Sequence, residues 1–318
     1  MLTLAILITY YSERNLLTEC LLSLLGGAVQ PDEILIYDDC SSVPPDEFIP
    51  SQAKAIVRVI RGEVNQGPAF GRNELMKIAQ CDYVHFHDSD DLFKVDWCKE
   101  IRAAINDSDP DVIVTDVESF DETGVVSNSV MGLKDYRDED DLVIRAIRGS
   151  FLVPSCTFKR SLGLKLGGYR TRDMLPQSED FDFHIRLIVA AQKYVCIPKP
   201  LILQRLRQNS HSQNKTSCWT SALNSITLLK ETIPTKYHPA LSNRAAELAA
   251  TLYVSGHYAE VRWGFALAQL LGKPDYAYRT KLYQIIAKSL GPIIAERFAC
   301  VYRRFIPQNL RAYVRFSR

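Results

Sequence analysis

Residues 83–93 read YVHFHDSDDLF, a short strand-like run that ends in Asp88, Ser89, Asp90 and Asp91. Fifty residues earlier, 33–42 read EILIYDDCSS, a second apolar run that ends in Asp38 and Asp39. Both segments have the form of strands with acidic carboxyl ends. Carboxylates crowded at a strand end repel one another, so the pattern suits a place that receives something cationic or rich in hydrogen-bond donors. A metal-bound nucleotide has that chemistry.

The flanking segments predict the sheet to which these strands belong. Leu4 to Ile8 is apolar and β-rich, Leu16 to Leu25 repeats leucine at helical spacing, and Ala55 to Ile60 reads as a further strand. Ala69 to Gln80 reads as a helix entered from a Gly-Pro turn, and Asp111 to Asp116 as a strand that follows another helix. Alternation of this kind over residues 1 to about 120 predicts a Rossmann-like, mostly parallel sheet with crossover helices, an α/β class. Ligands of such sheets gather at the carboxyl ends of the strands, where Thr9, Asp38, Asp39, Asp88, Asp90 and Asp91 fall. From 121 to 215 the pattern is irregular, with short strands near Ser155 to Lys159 and Tyr194 to Ile197 and a helix from Glu179, a mixed half suited to an acceptor. Residues 216–318 read as a helical appendage, including Arg244 to Ser255, Ala259 to Leu271 and Lys281 to Leu290.

Composition excludes several classes. With 38 Lys and Arg against 37 Asp and Glu, the chain does not hold nucleic acid by bulk charge. Eight cysteines without a C-x-x-C pair indicate neither a zinc site nor a disulfide scaffold, and a reducing cytoplasm is the expected setting. The run from Leu2 to Ile8 is too short to span a bilayer and has no basic leader, and no later run reaches the length of a membrane helix.

Four segments in order, LAILITYYSER, PDEILIYDDCSS, NQGPAFGRN with YVHFHDSDD, and GGYRTRDMLPQSEDFDFHIRL, resemble the inverting GT-A nucleotide-sugar glycosyltransferases of the large family 2 type. That family includes bacterial polysaccharide and lipopolysaccharide enzymes. The resemblance covers about residues 2 to 215 and implies a GT-A domain that uses Mn²⁺ or Mg²⁺ with a nucleotide-sugar donor, UDP-linked by expectation, and a saccharide or lipid-linked acceptor. It implies roles residue by residue. Thr9 and Tyr11 fall where the donor base and ribose dock, and an aromatic ring there can cover a base. Asp39 corresponds to the residue that accepts the uracil imide N–H, while Asp38 suits the support of a turn with Ser41 and Ser42. Arg72 stands where a guanidinium can meet uracil or a phosphate oxygen, although a solvated helix arginine would read the same. Asp88-Ser89-Asp90-Asp91 matches the D-x-D metal motif. Asp90 or Asp91 is implied as the ligand and Asp88 as a ribose or water contact, with His211 as a further ligand or a surface residue.

On the acceptor side, the resemblance makes Asp180 the catalytic base, with Glu179 beside it and Gly168 in the loop that approaches the sugar. Acids in a first helical turn also favour the macrodipole, so a capping role is the plain alternative. Two other functions compete. A sugar-nucleotide nucleotidyltransferase would open with a glycine-rich phosphate loop, and TYYSERN has no glycine. A non-catalytic scaffold would keep only vestigial carboxylates.

The segment 281–318 carries eight basic residues and one acid, Glu296. Within it Ile294, Phe298, Val301 and Phe305 form a helical stripe, and Arg311, Arg315 and Arg318 recur on one face. Basic amphipathic helices lie on anionic lipid, so 291–318 is the expected peripheral contact with the cytoplasmic membrane face. A helix packed on the catalytic domain with solvated arginines is the alternative.

Overall fold

The computed structural model of the chain describes residues 2–137, 141–149, 151–207, 214–277 and 279–305. Two compact units are present, 1–213 and 214–318. The first is built on a sheet that begins with β1 (Leu4–Tyr10), β2 (Glu33–Asp38), β3 (Val57–Arg61) and β4 (Tyr83–Asp88), all parallel, in the order β3-β2-β1-β4. Leu4 to Ile8 is fully buried, as a central strand covered on both faces requires. Helices α1 (Asn15–Leu25), α2 (Pro68–Ile78) and α3 (Trp97–Ser108) bury apolar stripes, with Leu17, Leu21 and Leu24 on α1 and Trp97, Ile101 and Ile105 on α3. Each such side chain contributes about 1.5–3 kcal/mol by leaving water.

Register fixes what the strand ends bring together. Tyr10 lies opposite Asp38 of β2, and Thr9 lies opposite Asp88 of β4. The two acidic clusters therefore flank the carboxyl end of the same strand.

Beyond β4 the sheet becomes mixed. The short β5 (Leu92–Phe93) pairs antiparallel with β9 (Tyr194–Arg205); β6 (Val112–Asp121) pairs with β9 in parallel and with β7 (Gly124–Ser127) antiparallel. The strand β8 (Cys156–Lys159) lies antiparallel between β4 and β6. Helices α4 (Leu142–Gly149), α5 (Arg160–Lys165) and α6 (Glu179–Ala190) complete the unit. The expected strand at Tyr194 to Ile197 is longer than its sequence suggests. Pro198 and Pro200 interrupt the alternation, and β9 continues past them because its pairing with β6 shifts register on both sides of Asp116.

The second unit contains α7 (Lys215–Thr232), α8 (His238–Val254), α9 (Tyr258–Leu271), α10 (Lys281–Leu290) and α11 (Pro292–Phe305). Among the described residues no helix is long and apolar enough to cross a membrane, and all eight cysteines are free thiols.

At the β6 irregularity Asp116 is 1% exposed. Its carboxylate accepts the amides of Val117, Met131 and Leu133 at 2.8–3.0 Å, together with the Ser129 hydroxyl. Three of these donors pin the 129–133 loop to the strand where its ladder is broken. Replacing Asp116 by alanine strands the buried Met131 and Leu133 amides, and the expected loss is about 3 kcal/mol. Urea unfolding followed by tryptophan fluorescence should show it as a lower midpoint for the variant.

Candidate active site

The turn after β2 is built by its own acids. Asp38 is fully buried, accepts the Ser41 amide at 2.9 Å and pairs with Arg61, whose other nitrogen donates to the Ser41 carbonyl at 2.8 Å. Asp39 points the other way. Its two oxygens accept the Gln66 and Gly67 amides, each at 2.8 Å, which ties the β2 turn to the loop that opens α2.

The Gly-Pro turn opens α2 at Gly67 and Pro68, whereas Gly71 lies inside the helix and acts by close approach. A Cβ there would stand 2.6 Å from the Tyr37 ring and 3.2 Å from Thr9 Cγ2. Bare backbone at Gly71 lets the helix rest on the ends of β1 and β2, and Arg72 follows one position later. Arg72 is 4% exposed. One nitrogen donates to Glu179 Oε1 at 2.8 Å, the other to Asp88 Oδ1 at 3.0 Å, and the guanidinium lies 5.3 Å from the centre of the Tyr169 ring. Burial opposes its charge, but Asp88 and Glu179 more than offset that and hold its pKa above the ordinary arginine value. The sequence offers this guanidinium to uracil or phosphate; the structure gives it two carboxylates, one from β4 and one from α6.

The DSDD turn divides its acids between different tasks. Asp91 is 3% exposed; its Oδ1 accepts the Arg205 amide at 2.8 Å and so fastens the end of β9 beneath the turn. Asp90 pairs with Arg207 at 2.5 Å, and Arg207 also approaches Glu13 at 3.8 Å. Ser89 donates to Glu13, which in turn accepts the Tyr11 amide at 2.8 Å. Burial and then the neighbouring Asp88 raise the pKa of Asp90, and burial with both neighbours raises that of Asp91 well above the usual range. Among the described residues no group of three or more His, Cys, Asp or Glu side chains is arranged to hold a metal ion. His211 lies outside the described residues. Thr9 is partly buried in β1, and the Tyr11 ring is half exposed just beyond that strand.

On the acceptor side α6 opens after Ser178, which has left-handed backbone with φ 60°. Glu179 and Asp180 occupy its first turn, with Glu179 turned to Arg72. Asp180 Oδ1 accepts the Phe181 amide at 2.7 Å. Burial, with Glu179 second, pushes the Asp180 carboxyl up to about 7. The loop before this helix is held by residues that sequence reading passed over. Asp182 is fully buried between Arg170 and Arg186, and Arg186 donates to the carbonyls of Leu166 and Gly168 at 3.0 and 2.8 Å. Gly168, at φ 72°, leaves room for Asn73, whose Oδ1 would lie 2.2 Å from a Cβ. Asn73 in turn exchanges two hydrogen bonds with the Tyr169 backbone, both at 2.8 Å. Tyr169 stacks near Phe183 and, among the described residues, its buried hydroxyl has no hydrogen-bond partner. The quoted GGYR segment contains Tyr169 and Arg170, but nothing in its spacing separates them from ordinary loop residues.

The structure thus joins Asp88 at the end of β4 to Glu179 at the start of α6, with Asp180 adjoining, through one buried arginine. Such an arrangement can bind a donor-rich ligand, or an anionic one accompanied by a cation, at the strand ends and present a carboxylate base near neutrality from the other side.

Comparison with known proteins places these features in a family. A sequence profile, Glycosyl transferase family 2, matches residues 5–161. An uncharacterized glycosyltransferase of Haemophilus influenzae is 27% identical over 190 residues, 58% of this chain and 62% of that protein. The poly(ribitol-phosphate) beta-N-acetylglucosaminyltransferase TarS of Staphylococcus aureus is 27% identical over 129 residues, 39% of this chain and 22% of TarS. The matched stretch thus spans less than two thirds of either relative. In three dimensions the crystal structure of S. aureus TarS 1–349 superposes with a TM-score of 0.68 at 18% identity, covering 96% of this chain and 93% of that one. The same fragment in complex with UDP-GlcNAc gives 0.63, over 95% and 92% of the two chains at 18% identity. The mannosyltransferase PcManGT of Pyrobaculum calidifontis, in complex with GDP-Man and Mn²⁺, gives 0.61 at 14% identity over 98% and 82%. The superpositions show a GT-A type fold, and the matched profile makes residues 5–161 a glycosyl transferase family 2 domain.

Proposed function

We propose that the chain is a metal-dependent inverting glycosyltransferase that moves one sugar from a UDP-sugar to a hydroxyl of a saccharide or lipid-linked saccharide. Its place is the synthesis of cell-surface polysaccharide at the cytoplasmic membrane face. The observation that carries this reading is the Asp88–Arg72–Glu179 bridge, which ties the donor-side acids to the helix that presents Asp180. The UDP-GlcNAc complex of the similarly folded TarS fragment supports the choice of donor, and the activity in the name of TarS supports a cell-wall type of acceptor.

In this reading Tyr11 covers the base, Thr9 lines the ribose end of β1, and Asp39 accepts the uracil imide N–H. The two backbone amides on Asp39 orient its carboxylate and leave further lone pairs for the base. Asp88 and Asp90 fit a hard divalent cation: their oxygens are the donor type it requires, and Asp88 raises the pKa of its neighbour, a strain that a cation relieves. Asp91 is assigned to fastening β9 through the Arg205 amide. Bound Mn²⁺ or Mg²⁺ would neutralise the charge that grows on the departing diphosphate, and the Mn²⁺ in the PcManGT complex supports that requirement. Arg72 acts as a positioning residue that orients Asp88 and Glu179. Asp180 takes the proton of the acceptor hydroxyl as that oxygen bonds to the anomeric carbon and the diphosphate leaves from the opposite face. A single displacement inverts the anomeric configuration. A base near 7 is half ionised at neutral pH and still strong enough to aid the transfer.

Purified protein with Mn²⁺ should release UDP from at least one UDP-sugar in a panel that also contains GDP and dTDP sugars. Asp180→Asn should cut turnover by about 10²–10⁴-fold with UDP affinity unchanged; absence of nucleoside diphosphate release from every donor refutes the reading. The release rate should rise from pH 6 to 8 with an inflection near 7. Stability should run the other way. Between the ordinary carboxyl value of 3.8 and about 7 the folded state holds the proton that the unfolded chain has lost, so rising pH costs stability across that window. Melting temperatures from pH 4 to 8 should fall less steeply for Asp180→Asn than for the native chain. Arg72→Lys cannot bridge two carboxylates from a planar fork, and a fall in kcat of about tenfold or more is expected in steady-state assays.

A further inference from the structure

Helices α10 and α11 form a hairpin whose polarity is inverted. On α11 the inward face carries Ala295 and Glu296, and Glu296 is fully buried, held by the Tyr283 hydroxyl at 2.8 Å, Arg279 at 2.6 Å and Arg303 at 3.5 Å. The outward face carries Ile294, Phe298 and Val301, with Phe298 56% exposed. On α10, Tyr283 and Ala287 are buried, whereas Leu282, Ile285 and Leu290 are each about 60% exposed. A helix that packs in water turns its large apolar side chains inward; this hairpin turns a satisfied charge cluster inward and large apolar side chains outward. Scattered apolar surface residues are ordinary, but a continuous face of them marks an interaction surface.

Charge identifies what covers that face. Lys281, Lys288, Arg297 and Arg304 are exposed on the hairpin, and the only acid between 281 and 305 is the buried Glu296. A second copy meeting this face by a twofold axis would bring like charges together without an acid to relieve them. An anionic lipid surface matches both properties, because apolar side chains enter the acyl boundary while lysine and arginine meet the headgroups. We propose that the α10–α11 hairpin is an interfacial lipid-docking surface. This deepens the reading above, on which it rests, that the enzyme works at a membrane face.

Sedimentation of the full chain with vesicles tests it. The native protein should pellet with vesicles of phosphatidylcholine containing phosphatidylglycerol and stay in solution with phosphatidylcholine alone. Leu282→Ser/Ile285→Ser/Phe298→Ser should lower the partition coefficient at least tenfold, as should Lys288→Glu/Arg297→Glu, with 306–318 unchanged in both. Circular dichroism and melting curves equal to the native chain establish that both variants fold. The proposal is overturned if the native chain does not pellet with anionic vesicles, or if both folded variants pellet undiminished. It is also overturned if light scattering reveals a dimer that the apolar variant abolishes. UDP release from a water-soluble donor, measured on the same samples, separates the two readings: pelleting without release rejects the transferase alone, and release without pelleting rejects the docking surface alone.

Discussion

Parallel pairing of β1 with β2 on one side and β4 on the other is the constraint on which the rest of the first unit depends. Because Tyr10 is opposite Asp38 and Thr9 is opposite Asp88, both acidic strand ends terminate at one level, beside the same central strand. A one-residue slip would carry one acidic strand end out of level with the other and turn its side chains to the opposite face of the sheet, so the register of the core strands also sets the geometry of the site. Acids placed together in this way must be satisfied, and the chain meets that demand with backbone amides, with arginines and, in the proposed function, with a cation and its nucleotide.

Arg72 shows how the two halves of the site are coupled. A single buried guanidinium has enough donors to serve two carboxylates in one plane, and here they come from β4 and α6. Breaking such a pair leaves an uncompensated buried charge, which is far costlier than the pair is stabilising. A similar arrangement recurs at Asp182, which gathers Arg170 and Arg186 and through Arg186 holds the carbonyls of the loop that precedes the base. Asp180 is treated differently. Burial and the repulsion of Glu179 outweigh its one amide, so its carboxyl keeps a proton up to about pH 7.

Much of this was legible where physics is local. β1, β2 and β4 announce themselves as continuous apolar runs, α10 matches its expected bounds, and the turn role of Asp38 with Ser41 follows from residue type. What was hidden is non-local. The partners of Arg72 lie 16 and 107 residues away, and the Arg205 amide that occupies Asp91 lies 114 away. No window of sequence contains those pairs, so Arg72 read as a ligand contact and Asp91 was indistinguishable from Asp90. Gly71 was equally opaque, because its reason is the Tyr37 ring on another element. In the tail the apolar stripe of α11 was visible, but its outward direction was not, since that depends on the burial of Glu296 by Arg279 and Tyr283.

In the proposed function Asp39 and Asp90, just past the ends of β2 and β4, serve one bound nucleotide. Titration calorimetry of UDP in the presence of Mn²⁺ measures this directly on the native chain, Asp39→Asn and Asp90→Asn. Each single variant should weaken UDP binding by about tenfold or more, with the Asp90 variant also losing its response to Mn²⁺. A native affinity retained by either variant would mean that the two carboxylates do not share one nucleotide.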